Sequence, residues 1–244
     1  MIKNYIKTAW RSLLRNKSYT AINIGGLAVG IAACLLIFLV IYFETSFDSF
    51  HSKKDKIYRI VTAYKGKNGF VWGSGVPLPV AEGLRTDFQQ IKDVAAIFRY
   101  GGHYTVDGNN GQAVKKFKED DAYYTEPQFF NIFNFGWLAG DKKTALSEPN
   151  TVVLTQAEAE KFFGNWHDAM GKVIKYENAN NLKVTGILEN PPANTDFPLK
   201  IVVSYNTINQ KGSNFYDNIH DWVSTFGTHY VFMVLPDNMS VKLF

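Results

Sequence analysis

The chain has 244 residues and a formal net charge of +4, with 26 Lys and Arg against 22 Asp and Glu. Five of the basic residues (Lys3, Lys7, Arg11, Arg15, Lys17) fall in the first 17 positions, where there is no acidic residue, so everything after Lys17 carries about −1. A basic face on the folded part, which nucleic-acid binding needs, is therefore missing. With 46% apolar and 20% charged residues the composition is that of a globular chain, which excludes disorder and collagen-like repeats. Cys34 is the only cysteine, which excludes an intrachain disulfide framework and a cysteine-based zinc site.

Residues 2–15 place Ile2, Tyr5, Ile6, Ala9, Trp10, Leu13 and Leu14 at helical spacing, with Lys3, Lys7, Arg11 and Arg15 every four residues on another face. That pattern predicts a basic amphipathic helix lying in a headgroup layer, with Trp10 at its boundary. A plain positively charged leader region is the simpler reading, and the periodicity favours the interfacial helix. Residues 1–17 thus form an elbow, turning at Asn16-Lys17-Ser18. Residues 18–43 follow without a charge, and their core, with ends at Ile22 and Phe43, extends roughly 33 Å as a helix, enough to cross a bilayer. Ile31-Ala32-Ala33-Cys34 looks like a lipoprotein cleavage site, but Leu35 to Phe43 continue the apolar run beyond it. Cys34 then reads as a small residue within the span. The basic cluster before the span puts the N-terminus in the cytoplasm and residues 44–244 outside. Gly26 and Gly30 form a small-xxx-small pair suited to packing against another helix.

Residues 44–56 are polar with spaced aromatics and read as a stalk. The string 57–64 (IYRIVTAY) reads as one strand, followed by a loop holding Gly66, Gly69, Gly73 and Gly75. Residues 77–88 suggest a short helix with Pro at its start. Strands are expected at 94–100, then as a hairpin of 104–106 and 113–117 across the turn 107–111, and at 122–125. A Phe-dense helical turn covers 127–133. The strand 151–154 runs into Thr155-Gln156-Ala157-Glu158, a capping box opening a helix that ends at Phe163-Gly164. An antiparallel pair, 172–176 with 182–188, follows, then the break at Pro191-Pro192 and strands at 199–205 and 229–235. The fold class is α+β: an amphipathic helix, one transmembrane helix and a mixed α/β extracytoplasmic domain over 57–244.

Catalytic signatures are missing from the sequence. The nearest string to a Walker motif, 164–172, has wrong spacing and places Val173 where Ser or Thr is needed. His51, His103, His167, His220 and His229 are scattered and read as surface or loop histidines, not ligands. Glu119-Asp120-Asp121 reads as a solvated turn, lacking the spacing of a calcium loop. The aromatic clusters 129–137 and 162–166 read as core. No catalytic, cofactor-binding or metal residue is assigned, and the chain is expected not to be an enzyme.

At the anchor and stalk the sequence resembles a family. Arg11-Ser12-Leu13-Leu14-Arg15-Asn16-Lys17 with 22–31 (INIGGLAVGI) is similar to the first membrane helix of FtsX-like ABC transporter permeases of the MacB type. Ser46-Phe47-Asp48-Ser49-Phe50-His51 and Ile57-Tyr58-Arg59 resemble that family's approach to its periplasmic core domain. Phe129-Phe130-Asn131-Ile132-Phe133, Gly140-Asp141, 145–150, 153–164, Gly171-Lys172, 184–188 and Pro191-Pro192 fit the same domain in order and spacing. The resemblance implies a permease of a bacterial inner membrane export or mechanotransmission system. A separate cytoplasmic ATPase binds the ATP, a second permease copy completes a dimer, and the periplasmic domain meets an adaptor or a lipoprotein, peptide or drug cargo. Phe47, Phe50 and Tyr58 are the expected stalk-packing residues.

In the family, further membrane helices follow the periplasmic domain. Residues 236–244 read as a strand exit and a helix start, so the chain is expected to be the N-terminal part of a longer permease, with the periplasmic domain truncated. The alternative is a single-span anchored binding or sensor module, which needs a separate signalling partner. A membrane-anchored hydrolase is disfavoured because no nucleophile–base pair is readable.

Overall fold

A computed structural model describes residues 2–107 and 114–239. The expected turn from Gly108 to Gly111, the strand start at Ala113 and the helix start at 240–244 lie outside the described residues. The chain divides into two units, Met1–Phe47 and Asp48–Phe244.

The first unit contains α1 (Ile2–Arg15) and α2 (Lys17–Thr45). At the elbow the Asn16 N–H donates to the Ser12 carbonyl (3.2 Å), and the Thr20 hydroxyl donates across the bend to the Leu13 carbonyl (3.1 Å). The 29 residues of α2 rise roughly 43 Å, and none of them is buried. The helix is long and apolar enough to cross a membrane. At its end the Thr45 hydroxyl donates to the Ile41 carbonyl (2.8 Å) and the Ser46 hydroxyl to Phe43 (2.7 Å), satisfying carbonyls that a helix end otherwise leaves open.

The second unit is α+β. Its strands are β1 (Ile57–Arg59), β2 (Thr62–Gly66), β3 (Gly69–Gly73), β4 (Val94–Arg99), β5 (Gly102–Val106), β6 (Lys115–Glu119), β7 (Ala122–Thr125), β8 (Trp137–Ala139), β9 (Thr151–Thr155), β10 (Val173–Tyr176), β11 (Asn180–Leu188), β12 (Ile201–Ser204) and β13 (His229–Val234). Its helices are α3 (Val80–Asp87), α4 (Phe129–Ile132) and α5 (Gln156–Phe163). One sheet runs β1-β13-β4-β7-β12-β9-β11-β10-β5-β6, with β8 also pairing with β11. The pairs β7–β12 and β9–β11 are parallel and the others antiparallel.

The central strands are apolar throughout because both faces of the sheet are covered. Val94, Ala96 and Phe98 of β4 join Val152, Leu154, Ile201 and Val203 in a core beneath Ala81 of α3 and Ala159 and Phe162 of α5. The alternate residues Ala95, Ile97, Val153 and Val202 enter a second core with Phe129, Phe130 and Ile132 of α4. Adjacent residues point to opposite faces, so a period of two separates the two cores.

Several expectations are corrected. The string 57–64 is not one strand: β1 pairs with β13 and ends after Ile60 N–H donates to Val231 (2.9 Å), whereas β2 pairs only with β3. The glycine-rich loop is therefore a hairpin, closed at Gly69, whose φ of +120° a side chain rarely adopts. Strand β8 was not expected; the chain leaves it at Gly140, where φ is +88° and a Cβ would stand 2.5 Å from the Thr185 carbonyl. Only half of the capping box forms. The Thr155 side chain accepts from Glu158 N–H (3.4 Å), but Thr155 N–H is engaged by the Lys200 carbonyl and the Glu158 carboxylate turns to Lys161 (2.9 Å). Glu119 is buried, not part of a solvated turn, and pairs with Lys161 and Lys200, while Asp121 takes Arg99 (2.8 Å) and Lys200 (3.2 Å).

Two histidines expected at the surface or in loops are buried: His51, in a loop, at 2% exposed and His229, in β13, at 0%. His229 Nδ1–H donates to the Val76 carbonyl (3.0 Å), leaving Nε2 to accept from the Tyr205 hydroxyl (2.9 Å). Burial pushes the His229 imidazole from its ordinary 6.5 down to about 4. The unfolded chain takes up this proton below 6.5 and the folded chain only near 4. The contribution is therefore complete above 6.5 and is lost as pH falls from 6.5 to 4, on the order of 3 kcal/mol in all. Thermal melts by circular dichroism should show the melting temperature dropping across that window, and His229→Phe should flatten the drop. An equally steep acid limb in the variant would show that another group sets it.

Candidate functional site

The second unit begins with a lead-in segment, residues 48–56, that is fastened at several points. Asp48 holds a φ of +51°, uncommon for a residue with a side chain. Its N–H donates to the Asn194 carbonyl (3.0 Å), while its carboxylate accepts from the Thr195 hydroxyl (2.6 Å) and the Asp196 N–H (3.2 Å). These bonds hold the left-handed turn, which Asp tolerates better than most residues.

His51 sits three residues further on. Its ring lies 4.0 Å from Phe50, 5.0 Å from Phe133 and 5.4 Å from Phe135, centroid to centroid. Asn134 N–H donates to Nδ1 (2.9 Å), so the proton of the neutral ring is on Nε2, which stands 3.6 Å from Asp48 Oδ1. Burial lowers the His51 pKa, and the nearby Asp48 carboxylate opposes that shift. The Ser52 N–H and hydroxyl both donate to Asn134 Oδ1 at 2.8 Å. Lys53 Nζ reaches Asp93 Oδ2 (2.6 Å) and the Asn131 carbonyl (2.9 Å). Asp93 directly precedes β4, and its carbonyl accepts from Val234 N–H (2.9 Å) at the end of β13. The segment thus ties the 194–196 loop and the 131–135 turn to neighbouring strands of the sheet. Asp48 is thus connected to the sheet through hydrogen bonds and an ion pair.

The expected site residues distribute as follows. Lys3, Lys7, Trp10, Arg11 and Arg15 are exposed along α1, and Ile22 and Phe43 lie inside α2. Around Gly26 and Gly30 no atom stands within 4 Å of a built Cβ, so among the described residues nothing packs on that stripe. Phe47 meets Phe43 edge-on at 5.2 Å within the first unit. Phe50 contacts His51 and Phe135, whereas Tyr58 packs against the core on the opposite face of the sheet. Phe50 and Tyr58 therefore do not form one stalk cluster, because Tyr58 follows the in–out alternation of β1. Asp48, Ser52, Lys53 and Asn134 were not singled out in the sequence. The only local signal was an Asp and a His three residues apart in a polar turn.

A second feature is the β2–β3 hairpin. Cross-strand pairing places Lys65 opposite Phe70 and Ala63 opposite Trp72. Phe70 and Trp72 share a face, 6.3 Å apart, and are 62% and 68% exposed. On the other face the Tyr64 hydroxyl meets Thr225 Oγ1 at 2.5 Å, next to a loop with exposed Trp222 and Val223. Adjacent exposed aromatics on a two-stranded ribbon with Lys65 and Lys67 form an apolar, basic contact surface. Among the described residues no three His, Cys, Asp or Glu side chains gather as a metal set.

The family described as the MacB-like periplasmic core domain matches residues 20–243. Among solved structures, a domain assigned to a permease protein from Porphyromonas gingivalis superposes with a TM-score of 0.60 at 16% identity, over 79% of this chain and 81% of that one. The periplasmic region of MacB from Actinobacillus actinomycetemcomitans superposes with a TM-score of 0.50 at 19% identity, over 69% of this chain and 68% of that one. At such identities the likeness is one of fold. A comparison with curated proteins finds no match.

If Asp48 holds the lead-in segment, Asp48→Ala should cost about 1–3 kcal/mol and raise amide hydrogen exchange at 194–196 and 51–53. Asp48→Asn, which tolerates the left-handed turn and keeps an acceptor, should cost less. Unchanged exchange in Asp48→Ala would show that the segment is held elsewhere.

Proposed function

The chain belongs to the family of MacB-like periplasmic core domains, and from that premise we propose that it acts as a non-enzymatic membrane subunit of an ABC-type export or mechanotransmission system. In this reading α2 spans the bacterial inner membrane, α1 lies in the cytoplasmic headgroup layer and the second unit is periplasmic. A separate cytoplasmic ATPase binds and hydrolyses ATP, and its motion reaches the periplasmic unit through α2 and the lead-in segment. A second permease copy completes the assembly.

The observation that carries the reading is that a long apolar helix precedes, in one chain, a family-matched domain whose first residues are bonded into its sheet. Such bonds suit a part that transmits force, since a polar linker would absorb it. Two further features support the reading. The bare stripe at Gly26 and Gly30 suits close approach of another membrane helix. The exposed Phe70 and Trp72 suit contact with an adaptor or cargo.

The test is affinity purification of the tagged full chain from its native membrane in mild detergent. An ATPase subunit should co-purify, and Gly26→Leu should lower its recovery roughly threefold to tenfold by blocking helix approach. Recovery of the chain without any ATPase, under conditions that preserve other membrane complexes, would contradict the reading.

A further inference from the structure

Beside the lead-in segment the second unit has a cavity of ≈ 490 Å³, within the size range of small-ligand sites. Its floor is aromatic. Phe133, Phe197 and Phe232 form a closed triangle of rings, with centroids 4.8, 5.2 and 5.5 Å apart. Its rim is charged. Arg59 lies 5.6 Å over the ring of Tyr230, and Lys54 stands nearby on the same cavity. Both cations are exposed, and among the described residues neither has a carboxylate within ion-pair distance.

The two acidic residues of the rim balance them in number but do not pair with them. Asp48 already accepts from Thr195 and Asp196, which leaves the exposed Asp196 carboxylate as the only uncommitted one. The rim thus carries two cations and two carboxylates, and pairing, not net charge, distinguishes them: Asp48 is committed to Thr195 and Asp196, whereas neither cation has an ionic partner among the described residues. A third polar group lines the same cavity: His51 is 2% exposed, and its Nε2–H faces the Asp48 carboxylate at 3.6 Å, beyond hydrogen-bond distance. A buried polar atom left unpaired is costly, and an oxygen acceptor supplied from the cavity would offset that cost.

We propose that this cavity binds an amphipathic anion, an acyl chain laid on the Phe133–Phe197–Phe232 floor with an anionic head group held by Arg59 and Lys54. A bare inorganic anion would leave the half-buried Phe232 and Tyr230 rings and Ile57 facing water, and a neutral apolar molecule would leave both cations unused. Guanidinium and ammonium groups match a phosphate or carboxylate head through charge-assisted hydrogen bonds. A membrane phospholipid and a free fatty acid share this chemistry. The proposal does not depend on coupling to an ATPase.

The test is native mass spectrometry of the full chain in a non-ionic detergent, titrated separately with dihexanoylphosphatidic acid, dihexanoylphosphatidylcholine, decanoate and inorganic phosphate. Phosphatidic acid or decanoate should bind one to one, roughly tenfold tighter than the zwitterionic lipid. A preference for the first points to a phospholipid as the source, and for the second to a fatty acid. The double variant Arg59→Gln/Lys54→Gln changes only exposed side chains and should keep its melting temperature while losing the preference. Asp196→Asn removes the opposing charge and should bind the same probe more tightly. Equal binding of the zwitterionic lipid, full competition by inorganic phosphate, or an unchanged preference in the double variant would each overturn the proposal.

Discussion

A strand that is apolar along its whole length has to be covered on both sides, and this requirement organises the second unit. Strands β4, β9 and β12 feed alternate residues into two cores, so helices and aromatic turns are needed above and below the sheet. Helices α3 and α5 close one face, and α4 with the turn after it closes the other. Helix α4 supplies Asn131 and the turn after it Phe133, Asn134 and Phe135, to which the lead-in segment is bound. The way the chain enters the domain is thus set by how the second face is covered.

This arrangement places two features side by side along residues 48–59. Asp48 bonds to the 194–196 loop, and Lys53 to the residue preceding β4. His51, Lys54 and Arg59 line a cavity whose floor is part of the second core. A ligand in that cavity would touch the segment that connects to the sheet. The proposed ligand site and the proposed route of coupling are therefore adjacent in the fold, although each can be measured without the other.

The parts of the fold legible in the sequence were those fixed by local pattern. The charge asymmetry around the apolar run and the four-residue recurrence of Lys3, Lys7, Arg11 and Arg15 mark α1 and α2 directly. The runs at 94–100 and 151–154 read as strands because burial on both faces makes the strands there mostly apolar. The lead-in site was not legible in this way. His51 and Asn134 are 83 residues apart, and Asp48 and Thr195 are 147 apart, so nothing near either residue signals its partner. The hairpin β2–β3 was missed for a different reason. Its glycines resemble a loop, and the ribbon's exposed Phe70 and Trp72 break the usual link between apolar residues and burial.

The central claim is that α2 crosses a membrane with the second unit outside the cytoplasm. Single cysteines test it most directly. In a Cys34→Ser background, Lys7→Cys on α1 and Val223→Cys on an exposed loop can be probed with a membrane-impermeant maleimide, first in cells with only the outer membrane permeabilised and then after lysis. The account predicts labelling of Val223→Cys before lysis and of Lys7→Cys only afterwards. The reverse order, or protection of both until lysis, would contradict it.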